Sequence, residues 1–256
     1  MAKIFCIANQ KGGVGKTTTA VNLAAGLVAQ QQRVLLIDLD PQGNATMGSG
    51  INKSSIECGV YQVLIGTSGA KNAIQFSKES GYSVLPANRD LSGAEVELVD
   101  LESREMRLKT ALSDLSNEYD FILIDCPPAL SLLTLNGLCA ADGVVVPMQC
   151  EYFALEGLSD LVNTIKQVHA KLNPSLKIIG LLRVMFDSRI TLQQQVSEEL
   201  SLHFGDKVFK TIIPRNVRLA EAPSFGLPGV VFDKSSRGAQ AYLDFGAEMV
   251  ERIKTM

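Results

Sequence analysis

Short apolar runs and stretches of helical periodicity take turns along the chain. The apolar runs at 4–8, 34–37, 84–85, 121–124, 144–146 and 178–184 are too short for helices and read as buried strands. The stretches 17–29, 104–115, 154–168 and 192–202 carry apolar residues at helical spacing. From 155 on, Leu155, Leu158, Leu161, Val162, Ile165 and Val168 recur three and four residues apart, a spacing that buries one face of a helix. Strand and helix in alternation predict an α/β fold with a doubly wound, mostly parallel sheet flanked by helices. Two regions break the rhythm: 50–80, richer in Gly, Ser and Lys and weakly periodic, and 205–235. Both are expected to be surface excursions from a single domain covering 1–256.

The bulk numbers leave this picture in place. A chain of 256 residues that is 46% hydrophobic and 20% charged can bury a sizeable core. No apolar run approaches the ~18 residues of a membrane span, and the five-residue run near the N-terminus is too short for a signal-peptide core. Cys6, Cys58, Cys126, Cys139 and Cys150 form an odd set without C-x-x-C spacing, so buried, reduced thiols in a reducing cytoplasm are expected. The net charge of -3 gives no general attraction to nucleic acid, and any such binding must come from a local patch.

Chemistry enters at NQKGGVGKTTTA, residues 9–20. A phosphate-binding loop of the pattern G-x-x-x-x-G-K-[ST] needs a glycine where this chain has Gln10, and Lys11 follows as an extra lysine. The context is otherwise that of such a loop: a strand before it, a helix after it, and Gly12, Gly13, Val14 and Gly15 between. Glycines let backbone N–H groups turn around phosphate oxygens, and the helix N-terminus adds its dipole. Lys16 is placed to neutralise β- and γ-phosphates and Thr17 to ligate Mg²⁺, with Thr18 closing the nucleotide-binding stretch. The loop calls for a nucleotide with β- and γ-phosphates and for Mg²⁺, and the resemblance named below implies that the nucleotide is ATP.

Two further motifs place carboxylates at strand ends, the ligand edge of an open α/β sheet. In VLLIDLDPQGNAT, Asp38 suits the outer shell of Mg²⁺, and Asp40 is placed to orient or deprotonate an attacking water. The alternative is that these are turn-forming aspartates before Pro41. In YDFILIDCPPAL, Asp125 follows four apolar residues and is a candidate Mg²⁺ ligand, direct or through water. Pro127 and Pro128 stiffen the turn beyond it, a candidate sensor of the γ-phosphate. His169 and His203 lie on expected helices without a ligand pattern and read as structural or exposed.

KGGVGKTT, DLDPQGNAT, IDCPP, QCEYFALEG and PRNVRLAEAPSFG, in this order and at these spacings, resemble the chromosome-partitioning ATPases of the ParA/Soj type, in the deviant Walker A group of P-loop proteins. The resemblance runs from about residue 2 to 250. It implies that Lys11 reaches across a homodimer, formed on ATP binding, to the phosphates held by the other subunit, joining Lys16 and Asp40 as catalytic residues. Two sandwiched nucleotides concentrate negative charge, which gives a second cation per loop a purpose. It also implies that Gly12 lies where the subunits approach closely, that Glu151 lies near the seam, and that Pro214 and Asn216 line the adenine pocket. Arg189 and Arg218 are implied to bind double-stranded DNA without sequence preference. Lys207, Lys210, Arg215 and Arg218, with no acid among them, are otherwise only a mildly basic surface. A ParB-like centromere-binding protein that stimulates hydrolysis, a nucleoid-associated place in the cytoplasm and no membrane contact follow from the same resemblance. With the chain opening on its first strand, no helix-turn-helix extension and no operator-specific repression are expected.

Two rivals share the fold class. A MinD-like division-site ATPase would end in a basic amphipathic helix, whereas AYLDFGAEMVERIKTM mixes acids with few bases and reads as a packed terminal helix. An ATP-dependent synthetase or iron-sulfur reductase is the other; a cluster across a dimer would call on Cys126 and Cys139, and the proline pair after Cys126 disfavours it.

Overall fold

The computed structural model describes residues 1–254, apart from the side chain of residue 155. The expected burial of Leu155 and the last two residues of the terminal-helix expectation therefore lie outside the described residues. Eight strands make one sheet: β1 (Lys3–Ile7), β2 (Val34–Asp38), β3 (Gln75–Ser77), β4 (Tyr82–Leu85), β5 (Phe121–Asp125), β6 (Gly143–Met148), β7 (Lys177–Phe186) and β8 (Val208–Pro214). Their order is β3-β4-β2-β5-β1-β6-β7-β8, parallel throughout except for the antiparallel β3–β4 edge.

The central strands have continuous apolar runs because both of their faces are covered. β2, β5 and β6 are buried at every position. Alternate residues feed two cores. Cys6, Leu35, Ile37, Ile122 and Ile124 face one layer, which includes the helices Val60–Ile65, Leu132–Ala140 and Ala154–Lys171. Phe5, Ile7, Leu36 and Leu123 face the other, made by the helices Lys16–Ala29 and Arg237–Lys254. These last two helices cross closely: a Cβ on Gly26 would lie 2.8 Å from the Tyr242 carbonyl oxygen. The terminal helix buries Tyr242, Phe245 and Met249, so its apolar face is occupied within the chain. Among the described residues no helix is long and apolar enough to cross a membrane.

The two regions read as surface excursions need correction. Residues 205–235 contain β8, an edge strand whose exposed Lys210 and half-buried Thr211 interrupt the apolar run that would mark it. Residues 50–80 bury Val60, Val63, Leu64, Ala70 and Ala73 in the core, in helices of 6 and 4 residues that are too short to show a period. The 104–115 helix is shorter than expected, Arg107–Leu112 followed by a 3-10 turn. The helices Leu91–Glu97 and Leu132–Ala140 had no counterpart in the sequence reading.

Candidate nucleotide-binding site

The loop between β1 and the helix Lys16–Ala29 turns on two glycines, Gly13 at φ 74° and Gly15 at φ 75°, a left-handed geometry that a Cβ disfavours. Val14 is buried and pins the loop to the core. The helix then starts at the C-terminal edge of the sheet, where its first N–H groups face any anion in the loop. Lys16 is only 7% exposed, and its Nζ donates to the Lys11 carbonyl at 3.1 Å. Burial lowers its pKa, while the charges of Asp125 and Asp40 act in the opposite sense.

Strand pairing brings the carboxylates to the same place, because Asp38 and Asp125 are partners in the β2–β5 register. Both are fully buried, yet their surroundings differ. Asp38 accepts from the Asp40 N–H at 3.2 Å and, through its other oxygen, from the Thr46 N–H and hydroxyl, each at 2.8 Å. Burial still pushes its pKa up to about 6. Neither oxygen of Asp125 has a hydrogen-bond partner. Burial and then the Asp38 charge push its pKa well up, with the Thr17 hydroxyl and the Lys16 ammonium pulling the other way. Two unpartnered carboxylate oxygens of this kind are costly unless a cation meets them. Carboxylate and hydroxyl oxygens at one point are the donor set of Mg²⁺, so Asp125 and Thr17 fit it directly and Asp38 fits an outer position. Asp40 is half-buried and accepts the Gln42 N–H at 2.9 Å, so it serves its turn while its charge bears on Lys16.

Outside this cluster, Lys11 is exposed and its Nζ meets Glu151 Oε2 of the same chain at 2.5 Å. A Cβ on Gly12 would meet nothing within 4 Å. Pro214 and Asn216 line a pocket of about 280 Å³ together with Gly15, Thr18, Met185 and Leu219. Asn216 also caps the helix Val217–Glu221, accepting the N–H groups of Arg218 at 2.8 Å and Leu219 at 3.3 Å.

Arg215 lines the pocket beside Gly15 and Thr18, and also a second pocket with Arg189. Arg189, its side chain 87% exposed, pairs with Asp187 at 2.7 Å. Arg218 pairs with Glu221 at 2.9 Å and Asp233 at 3.4 Å. The basic stretch 207–218 is not one patch: Lys207 and Lys210 line a pocket with Lys177 and Arg252, whereas Arg215 joins Arg189 and Arg237 around another. Five steps of largely extended chain lead from Lys210 to Arg215, roughly 16 Å. Sequence reasoning missed Arg237, which has only Lys234 as a basic neighbour in the chain, as well as Met185 and Gln149. Cys126 and Cys139 are buried, at 1% and 0% exposure, which leaves neither able to reach a second subunit. All five cysteines are free thiols and only Cys58 is partly exposed. His169 Nδ1 lies 3.0 Å from the Leu176 carbonyl oxygen, and His203 sits exposed on its helix.

A mostly parallel sheet with helices on both faces, and a glycine loop leading from β1 into a helix, defines a P-loop nucleotide-binding fold. Comparison with known proteins agrees and narrows it. A family description of an AAA domain matches residues 2–178. The sporulation initiation inhibitor protein Soj of Bacillus subtilis (strain 168) is 54% identical over 249 residues, 97% of this chain and 98% of Soj. The chromosome partitioning protein ParA of Myxococcus xanthus is 52% identical over 252 residues, 98% of this chain and 89% of its own. Among solved structures, cobyrinic acid a,c-diamide synthase from Mycobacterium smegmatis, with bound ADP and magnesium, superposes with a TM-score of 0.87 at 38% identity. It covers 99% of this chain and 96% of that one. The chain belongs to the ParA/Soj family of chromosome-partitioning ATPases.

Proposed function

We propose that this chain, acting as one P-loop domain, is a switch that dimerises on ATP, binds duplex DNA without sequence preference in that state, and resets by hydrolysis to drive partitioning. The observation that carries the reading is the loop's outer face. Lys16 already occupies the interior of the loop, while Lys11 sits outside on Glu151 and Gly12 has open space around it. A side chain at Gly12 fits the single chain, so in this reading the glycine leaves room for a second subunit docked against the loop.

In this reading the backbone N–H groups of 12–18 and the Lys16 ammonium hold the phosphates. Lys11 exchanges Glu151 for the phosphates of the facing nucleotide, and Glu151 lines the seam. Pro214 and Asn216 line the adenine pocket. Thr17 and Asp125 would hold Mg²⁺, with Asp38 behind, and the ion when bound would supply positive charge against the transferring phosphoryl group. Asp40 orients the attacking water and takes its proton as the bond to the γ-phosphorus forms and the β-γ bridge breaks. A partner of the ParB-like centromere-binding type stimulates this step.

Arg189 and Arg218, joined by Arg215 and Arg237, form the DNA-facing surface. Their ion pairs with Asp187, Glu221 and Asp233 are exposed, and exposed pairs contribute only ~0–1 kcal/mol, so phosphates can displace them. Dimerisation doubles the contacts and turns weak sites into useful affinity. In this reading the protein works on the nucleoid, and the packed terminal helix speaks against a membrane-bound alternative. The test is a DNA titration at two salt concentrations with Arg189→Glu and Arg218→Glu combined. Four phosphate contacts per dimer become repulsions. Binding should be lost, and any residue of it should have a log-log salt slope flatter by up to ~3.6. Nucleotide affinity and dimerisation stay as in the wild type. A double variant that binds duplex with unchanged slope removes the assignment, and a wild type that ignores DNA but pellets with anionic vesicles replaces it with the division-site reading.

A further inference from the structure

The β7–β8 pairing slips beside the loop. Arg183 pairs with Ile212 and Phe186 with Pro214, so β7 spends three steps where β8 spends two. The extra residue is a β-bulge, a device that re-aims a side chain near functional sites. Met185 lies inside it at φ 52°. Two other described non-glycine residues have positive φ, Gln31 and Ser103, and both are in turns; Met185 alone is in a strand. Glycine is the residue that suits a left-handed position in a bulge, and a methionine there is unfavourable for the backbone.

The side chain shows what that conformation achieves. Met185 Cε lies 3.5 Å from the point where Gly15 would carry a Cβ, so the thioether reaches over the last glycine of the phosphate loop. It is half-buried and lines the same pocket as Pro214 and Asn216. Gln149, just beyond β6, holds it there. The Gln149 amide nitrogen donates to the Gly13 carbonyl at 3.0 Å and lies 3.1 Å from Met185 Sδ. One amide thus grips the loop that turns around phosphate and the side chain that covers the neighbouring pocket.

We propose that Met185 is a specificity-determining residue that packs its thioether on the base of a purine nucleotide, and that Gln149 is a positioning residue tying this contact to the phosphate loop. Sulfur against an aromatic ring is a favourable contact, and an unbranched thioether adapts to the flat face of a base. The inference rests on the nucleotide-binding reading above. It gives the left-handed methionine at a bulge beside the loop a purpose.

The test compares two probes by calorimetry in the presence of Mg²⁺: ATP, which has a base, and inorganic tripolyphosphate, which does not. Met185→Gly relieves the backbone, so the folded protein should be at least as heat-stable as the wild type. It should nevertheless bind ATP ~10-fold more weakly, with tripolyphosphate affinity unchanged within about twofold. Met185→Leu keeps apolar contact and should lose less, about threefold for ATP alone. With Gln149→Leu already present, the Met185→Gly effect on ATP should shrink, because the side chain is no longer held. Wild-type ATP affinity in Met185→Gly, or equal losses for both probes, overturns the assignment. Lys16→Ala separates the failures: if it abolishes ATP binding while Met185→Gly leaves it intact, the nucleotide site stands and only Met185 is misassigned. If the wild type binds neither probe, the site and the inference fall together.

Discussion

Asparagine at position 125 removes a charge from a place where burial and a second carboxylate both oppose it. Asp38 and Asp125 face each other across adjacent parallel strands and are both fully buried. Neighbouring strands lie ~4.8 Å apart, and two unit charges about 5 Å apart at an effective dielectric constant near 20 repel by ~3 kcal/mol. Lys16 nearby and partial protonation offset part of this, leaving an expected gain of ~1–2 kcal/mol for Asp125→Asn without ligand. For a chain of this size, that gain raises the melting temperature by roughly 2–8 °C.

The sign of the pH dependence follows from the direction of the shifts. Both folded-state pKa values are raised above the ordinary 3.8, that of Asp38 to about 6. Their protonated forms favour folding at low pH, and this is lost as pH rises through about 6. The advantage of Asp125→Asn should therefore be near zero at pH 4 and grow as pH rises above the ordinary 3.8, toward the raised folded-state pKa of Asp125. Scanning calorimetry at pH 4 and pH 7.5, without ligand and then with ATP and either Mg²⁺ or EDTA, reads both halves of the claim. The ligand-free variant should melt higher at pH 7.5 yet lose the Mg²⁺-dependent part of the ATP stabilisation. A ligand-free variant that melts lower at pH 7.5, or one that keeps the full Mg²⁺-dependent shift, refutes the reasoning.

Two other substitutions separate folding from function. Gly12→Val should give a monomer that folds and binds ATP, since a Cβ there meets nothing within 4 Å in the single chain; an ATP-dependent dimer seen by light scattering would remove the sandwich arrangement. Asp40→Ala should hold ATP and dimerise but hydrolyse ~10²-fold more slowly or worse, as for loss of a general base. Phosphate release at the wild-type rate would make Asp40 a turn residue only.

What could be read from the sequence depended on how local each signal was. The phosphate loop, Asp38 and Asp125 are each announced by a few adjacent residues, a strand's apolar run and then the polar group, so their meeting at one sheet edge followed from the fold class. β8 was hidden because an edge strand with Lys210 on its open side has no unbroken apolar run. The short helices at Val60–Ile65 and Ala70–Ala73 are below one helical repeat of pattern, although their apolar residues enter the core. Met185 could not be read at all, because its conformation comes from the offset between two strands. Arg237 joins Arg189 only through the fold, which brings the start of the terminal helix and the loop after β7 to one pocket. The unsatisfied state of Asp125, against the three hydrogen bonds of Asp38, is likewise a property of what surrounds two similar motifs rather than of the motifs themselves.

The central claim, that ATP makes a dimer and the dimer binds DNA, is tested most directly by sedimentation velocity of the wild type with and without ATP, Mg²⁺ and duplex DNA. The account predicts a monomer without nucleotide, a species of twice the mass with ATP and Mg²⁺, and co-sedimentation with duplex only when ATP is present. A chain that stays monomeric with ATP, or that binds duplex equally well without nucleotide, would contradict it.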